Sequence, residues 1–342
     1  MIPIILILIQ SIFINPTIYS SSQPEELGKV NWLRNFDQGI NKAATEQKPV
    51  FLLFQEVPGC STCRNYGHNV LSHPLIVEAI EELFIPVAIF NNKGGEDAKV
   101  LKMYNEPSWN NPVVRIVGVD KENIVPRVSG NYSQLGVVQA MVRALEKSKK
   151  SIPTYLYLLQ EELRAREEGT ETAILSMYCF WTGEKHLGNI PGVVETQAGF
   201  MNGKEVVKVA FDPDLVNYGA IVKQAQLLSC ASQVFTDSRD QFQTASSIIG
   251  SPAVSKTGSF RQDSQPKYYL AKTHYRHVPM TQTQASRVNS AIGQGKSPDS
   301  YLSSRQQEIA QFVKEHPGRN WDSQINQDLI VGWEKVEEMM GK

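Results

Sequence analysis

Sulfur is scarce in this chain: four cysteines among 342 residues are too few to staple a fold together. Charge of one sign is missing as well, because 34 Lys and Arg face 35 Asp and Glu. The basic clusters, such as Lys147-Ser148-Lys149-Lys150, are short and isolated, so no nucleic-acid partner is expected. No glycine-rich phosphate loop or dinucleotide fingerprint occurs, and no cofactor is called for. No second CxxC or paired-His motif completes a zinc site. His274 and His277 lack acidic or sulfur neighbours, so no metal is expected. His68 and His73 read as surface residues. Membrane-length apolar runs are also lacking, since Gln10, Asn15 and Pro16 interrupt the run from Met1 to Ser20. That run reads as a signal peptide over residues 1–20, with Ser20, Ser21 and Ser22 as cleavage positions. A retained N-terminal anchor is the alternative, because no Lys or Arg precedes the run. Export to a periplasmic or secreted location, with no stable span after cleavage, is the expectation.

What the chain does have is a concentration of its few thiols in redox settings. Cys60 and Cys63 form a CxxC directly after the apolar run Pro49–Gln55 and the turn Pro58-Gly59. Strand, turn and helix start is the order this predicts. A thiolate at a helix N-terminus is stabilised by backbone N–H groups and the helix dipole. Cys60 is therefore the expected attacking thiol and Cys63 the resolving one, with a static disulfide as the alternative. Helices are expected over 32–40, 75–84 and 134–147. Strands are expected over 85–90 and 113–119, with 124–129 returning as a hairpin across Asp120-Lys121-Glu122-Asn123. A further helix, Thr154 to Glu168, places Tyr155, Leu158, Leu159 and Leu163 at helical spacing, as a packing face requires.

The order of these elements, the CxxC and the tripeptide Asn111-Pro112-Val113 resemble the thioredoxin fold. That resemblance implies a cis-proline, Pro112, facing the CxxC. The chain departs from the family in having no Trp before Cys60 and in carrying Ser61-Thr62 between the cysteines.

In the second half, Thr172 to Tyr178 reads as a strand delivering Cys179 to a turn before a helix. Pro191-Gly192-Val193, a strand from Glu205 to Phe211 ending in Asp212-Pro213, and a helix over 218–228 come next. Cys179-Phe180-Trp181, Pro191-Gly192-Val193, Gly199-Phe200-Met201-Asn202-Gly203 and Glu205 through Pro213 together resemble peptide methionine sulfoxide reductase A, with a weaker echo at Tyr268-Tyr269-Leu270. The resemblance implies Cys179 as the nucleophile on a sulfoxide sulfur and Glu205 as the acid protonating the departing oxygen. Phe180 and Trp181 would form the apolar wall for the substrate methyl group, with Phe200 beside them. Attack would leave Cys179 as a sulfenic acid needing a second thiol. Cys230 is the candidate, with a structural role as its alternative. Departures are specific: Tyr178 replaces a glycine, and Phe200 replaces a tyrosine whose hydroxyl binds the sulfoxide oxygen. Thr244 stands where a second tyrosine would be, and the segment between Gly203 and Glu205 is short.

The expected fold class is mixed α/β (α+β): a thioredoxin fold followed by a sulfoxide-reductase-A-like, ferredoxin-related α/β domain. The expected divisions are a thioredoxin-like domain at 28–148, a helical linker at 149–170, the second domain at 171–300 and a helical tail at 301–342. The expected function is thiol–disulfide oxidoreduction, with the CxxC supplying electrons to Cys179. Expected partners are oxidised or disulfide-containing proteins and an unidentified thiol reductant. A disulfide reductase or isomerase with a non-catalytic second module is the rival, and a pair of static interaction platforms is the third reading.

Overall fold

The computed structural model describes residues 23–228 and 232–341. The leader and Cys230 lie outside the described residues. Secondary structure begins with α1 (Phe36–Glu46), β1 (Val50–Gln55), α2 (Ser61–Asn69), α3 (Pro74–Leu83) and β2 (Ile85–Phe90). It continues with α4 (Glu96–Met103), β3 (Val113–Val117), β4 (Val128–Ser129), α5 (Gln134–Lys147) and α6 (Thr154–Glu168). The second half opens with β5 (Glu171–Ser176), α7 (Phe180–Leu187), β6 (Val193–Met201), β7 (Lys204–Phe211) and α8 (Tyr218–Leu227). After β8 (Gln233–Phe235), α9 (Arg239–Ile249), β9 (Val254–Ser255) and β10 (Arg261–Gln262) come α10 (Tyr268–Ala271), α11 (Gln282–Gly293), α12 (Ser304–Glu315) and α13 (Leu329–Met340).

The first sheet runs β2-β1-β3-β4, with β1 and β2 parallel and the other pairs antiparallel. Every β1 side chain is buried, which explains the apolar run over 50–54, and the buried Gln55 amide donates to the Glu26 and Cys63 carbonyls. Phe51 and Leu53 join one apolar cluster, while Val50, Leu52 and Phe54 join another with α1 and α4. Helix α1 starts later than the sequence suggests. The Asn35 side chain accepts from Gln38 N–H and caps it there, while Trp32 spends its indole N–H on the Leu27 carbonyl. The return strand after β3 is shorter than expected: Asn123 bridges Val117, but Pro126 has no N–H to offer a ladder.

The second sheet runs β10-β6-β7-β5-β8-β9, antiparallel except for β8 with β9. Asn202 and Gly203 connect β6 and β7 with positive φ at both, the geometry of a two-residue type I′ hairpin. One face of this sheet packs under α7 and α8.

The largest apolar cluster crosses the expected divisions. It joins Leu75 and Ile80 of α3 to Tyr155 and Leu159 of α6, Val288 of α11, Ile309 of α12 and Trp333 of α13. Buried Glu78 accepts from the Arg305 N–H at 2.8 Å, and Glu81 pairs with the Arg305 guanidinium at 2.5 Å. Helix α11 is buried along almost its whole length although much of it is polar. Arg287 donates to the carbonyls of Gly188 and Ile190, and Asn289 accepts the N–H groups of Tyr269 and Leu270. These bonds make a polar helix compatible with burial, although Asn289 Nδ2 and Thr283 Oγ1 have no hydrogen-bond partner among the described residues. No helix among the described residues is long and apolar enough to cross a membrane.

Candidate active sites

The first thiol centre forms where β1 ends. Gly59 is required by close approach, since a Cβ there would lie 2.7 Å from Cys63 Cβ and 2.3 Å from the Glu56 carbonyl oxygen. The Gly59 N–H donates to Glu26 at 2.7 Å, and its carbonyl accepts from Arg64 at 2.8 Å. Cys60 then becomes the N-cap of α2, exposed, while Cys63 on the first turn is fully buried. Their sulfurs are 3.7 Å apart.

The two thiols are electrostatically unequal. The Cys63 backbone N–H, helped by its thiol and by Thr62, stabilises the Cys60 thiolate against a smaller opposing effect of desolvation, and holds its pKa below the ordinary thiol value. Burial pushes Cys63 up to about 11. Its thiol donates to Asn111 Oδ1 at 2.6 Å, and the following peptide bond, Asn111–Pro112, is cis. Cys60, Cys63 and Pro112 thus belong to one constellation. Sequence inspection overlooked Glu56: its carboxylate and the two sulfurs all lie within 4.8 Å of one another. Two thiolates and a carboxylate are donors suited to a soft divalent ion with an open fourth position. The position of Glu56 at the end of β1, four residues before Cys60, was the available signal.

The second centre repeats the strand-to-helix turn. Cys179 is the N-cap of α7, partly buried, and Tyr178 beside it is 97% exposed. The Phe180 N–H donates to Glu205 Oε2 at 3.0 Å, so the carboxylate sits at the helix end that Cys179 opens. The β6–β7 register places Phe200 directly opposite Glu205. Phe180 packs edge-on to Phe200 at 5.2 Å and tilted to Trp181 at 5.4 Å. Cys179, Phe180, Trp181, Phe200 and Glu205 are therefore one neighbourhood.

Residues not singled out from sequence complete it. Tyr268 stacks on Trp181 with centroids 3.8 Å apart and planes 13° apart, and Asp263 accepts the Trp181 indole N–H at 3.1 Å. The Arg261 guanidinium lies over Phe200 at 4.4 Å. The weak Tyr268-Tyr269-Leu270 echo was the only sequence signal for any of these. Among the described residues no hydrogen bond, ion pair or ring contact links this neighbourhood to that of Cys60 and Cys63. His73, expected at the surface, is instead 4% exposed, because the C-terminal helices cover it.

A dithiol at a helix start beside a cis-proline is the arrangement against which known families can be compared. Residues 31–118 match a thioredoxin-like family. The chain is also 40% identical over 73 residues to peptide methionine sulfoxide reductase MsrA 1 of Caulobacter vibrioides, covering 16% of this chain and 34% of that protein. It is 29% identical over 114 residues to peptide methionine sulfoxide reductase A5 of Oryza sativa subsp. japonica, covering 29% and 45% respectively. The chain spans less than half the length of these relatives. A solved structure titled DsbH Oxidoreductase aligns over 37% of this chain and 92% of that one, at 13% identity and a TM-score of 0.30, too low to bear on the argument. The chain thus combines a thioredoxin-like segment with partial similarity to sulfoxide reductases, in a mixed α/β architecture.

Proposed function

We propose that the protein is a thiol oxidoreductase that reduces oxidised sulfur in polypeptides, with Cys60 and Cys63 as its electron-carrying pair. The supporting observation is their inequality: an exposed thiol held toward its thiolate stands 3.7 Å from a buried thiol held protonated. The Cys60 thiolate attacks one sulfur of a substrate disulfide and forms a mixed disulfide, while the substrate S–S bond breaks and its other sulfur leaves as a thiolate. Cys63, once deprotonated, attacks Cys60 Sγ, and the departing thiolate leaves with both electrons.

At the second centre, Cys179 attacks a methionine sulfoxide sulfur while Glu205 delivers a proton to the oxygen. Methionine leaves, and Cys179 holds the oxygen as a sulfenic acid. A second thiol, Cys230 or one of the CxxC pair, condenses with it, releases water and forms a disulfide. The CxxC pair then reduces that disulfide, and an external thiol restores the pair. Tethering raises the effective concentration of this exchange. Purified protein supplied with a dithiol should show turnover dependent on methionine sulfoxide, and no turnover with either sulfoxide epimer would sink this step.

A second reading keeps the CxxC chemistry and makes the Cys179 neighbourhood a binding module. It is favoured by Phe200, which places a ring without a hydroxyl opposite Glu205. Insulin disulfide reduction that survives Cys179→Ser, with no sulfoxide turnover by wild type, would select it. Export belongs to the same proposal, since an oxidising compartment supplies disulfide substrates. Its check is the N-terminal residue of the mature chain, expected within Ser20–Ser22.

A further inference from the structure

A cavity of about 300 Å³ lies where α3, α5, α11 and α13 begin, and no cysteine lines it. His73 is the N-cap of α3 and Gln134 the first residue of α5. Thr281 and Asp328 are the N-caps of α11 and α13. Each helix is ten residues or longer, so four positive dipole ends converge on one space. Dipole ends alone would be satisfied by caps, and three of the four are: Ser133, Thr281 and Asp328 accept first-turn N–H groups. Helix α3 has no side-chain cap; Pro74 brings no N–H, and the His73 carbonyl accepts from Ile76 and Val77.

The second observation is a buried polar atom without a partner. His73 is 4% exposed, and its Nδ1 has no hydrogen-bond partner among the described residues. Leaving such an atom without a partner is unfavourable. Burial, and then the charge of Arg166, pushes the pKa of the ring down to about 4, so at neutral pH it is uncharged and can donate from one nitrogen. Gln282 Oε1, on the same wall, is also buried and unpartnered.

Charge and shape select the ligand. Arg166 at the rim donates to Glu162 at 2.5 Å through one nitrogen, and the guanidinium has further donors for an anion. Glu162 and Asp328 put two carboxylates in the wall beside one cation, Arg166, so each negative charge on a guest is opposed and a doubly charged guest such as phosphate is opposed most. Leu159, Leu163, Met280 and Leu329 supply an apolar lining for a hydrocarbon part. We infer that this cavity is a binding site for a small organic monocarboxylate, held by Arg166 and the His73 imidazole at the uncapped start of α3. Because α6, α11 and α13 contribute walls to it, a bound carboxylate would also fasten the C-terminal helices onto the thioredoxin-like segment. The site goes beyond the thiol chemistry proposed above and does not depend on it.

The test uses the full chain and three probes: butyrate, succinate and inorganic phosphate, each titrated by calorimetry. Butyrate is expected to bind one-to-one with saturation, at least about tenfold tighter than phosphate or succinate. Hydrogen exchange at the first turns of α3 and α13 should slow in its presence. Arg166→Met should weaken butyrate about tenfold or more, with some loss of melting temperature in its absence because buried Glu162 then loses its ion-pair partner. His73→Phe should weaken it similarly, and Arg166→Met decides the matter if that variant fails to fold. The inference is overturned if butyrate gives neither heat nor exchange protection. It is equally overturned if phosphate binds as tightly as butyrate, or if Arg166→Met leaves binding unchanged.

Discussion

Cys60 and Cys179 occupy the same local position, the N-cap of a helix directly after a buried strand, yet their surroundings differ in kind. Cys60 has a second thiol at 3.7 Å, a cis-proline loop held through Asn111, and Glu56 close by. Cys179 has a carboxylate on the neighbouring helix N–H and a wall of aromatic rings. The helix start favours the thiolate at Cys60. On the proposed chemistry, the neighbours decide the outcome of the first attack: a resolving thiol in one case, a proton source and an apolar seat in the other. The lesson is that the N-cap geometry supplies reactivity, and the packing around it supplies the reaction.

The sharpest way to break the comparison is to remove each nucleophile and assay both activities. Cys60→Ser should abolish insulin disulfide reduction by more than about 10³-fold, the scale on which losing a nucleophile acts. Cys63→Ser should instead accumulate a mixed disulfide at Cys60, visible by mass spectrometry. Cys179→Ser should leave insulin reduction within about twofold while removing sulfoxide turnover. If Cys179→Ser also stops insulin reduction, the two centres are not separate.

The pH dependence of alkylation sharpens the same contrast within the first centre. Only the thiolate reacts, so a depressed pKa moves the rate inflection of Cys60 below that of a free thiol. Cys63, pushed up to about 11, carries a thiolate fraction of only about 10⁻³ at pH 8. Iodoacetamide should therefore modify Cys60 at neutral pH and leave Cys63 nearly silent until the pH approaches 10 in the folded protein. Equal rates at the two cysteines would remove the basis for assigning attacking and resolving roles. At the second centre, Glu205→Gln keeps the shape but cannot donate a carboxyl proton. Sulfoxide turnover should fall by about 10²-fold, with dithiol activity unchanged.

Local chemistry was legible in the sequence to the extent that it is local. The apolar run of β1 and the Pro-Gly turn announced the CxxC helix. Helices α5 and α6 fall where their periodicity places them. The hairpin carrying Phe200 and Glu205 turns at Asn202-Gly203, a signature that was not read as a hairpin from the sequence. Helix α11 shows where sequence patterning fails. Its buried residues include Thr283, Gln284, Ser286, Arg287, Asn289 and Ser290, whose burial depends on hydrogen-bond partners distant in sequence. No hydrophobic period exposes such a helix. The same long-range packing hid His73, and it draws α12 and α13 into the cluster around α3. Asp263 was invisible as a site residue and Tyr268 showed only as a weak echo, because their meaning comes from meeting Trp181.

That meeting gives the smallest and most discriminating contrast between the two centres. Tyr268 fixes the Trp181 indole by stacking, and Asp263 fixes its N–H. An aromatic pair of this kind contributes about 0.5–1.5 kcal/mol beyond area burial, which corresponds to roughly two- to tenfold in an equilibrium. If Trp181 seats the methyl group of a sulfoxide, loosening it should raise KM and leave the chemical step alone, because Cys179 and Glu205 are held by α7 and β7 independently of Tyr268. Tyr268→Leu is therefore expected to raise the KM for a sulfoxide peptide about fivefold, with kcat and Cys60 alkylation unchanged. A fall in kcat at constant KM would place Tyr268 in the reaction itself, with its hydroxyl replacing one absent at position 200. No change in either constant would mean that the aromatic cluster is only core, and that the second centre lacks the substrate seat that separates it from the first.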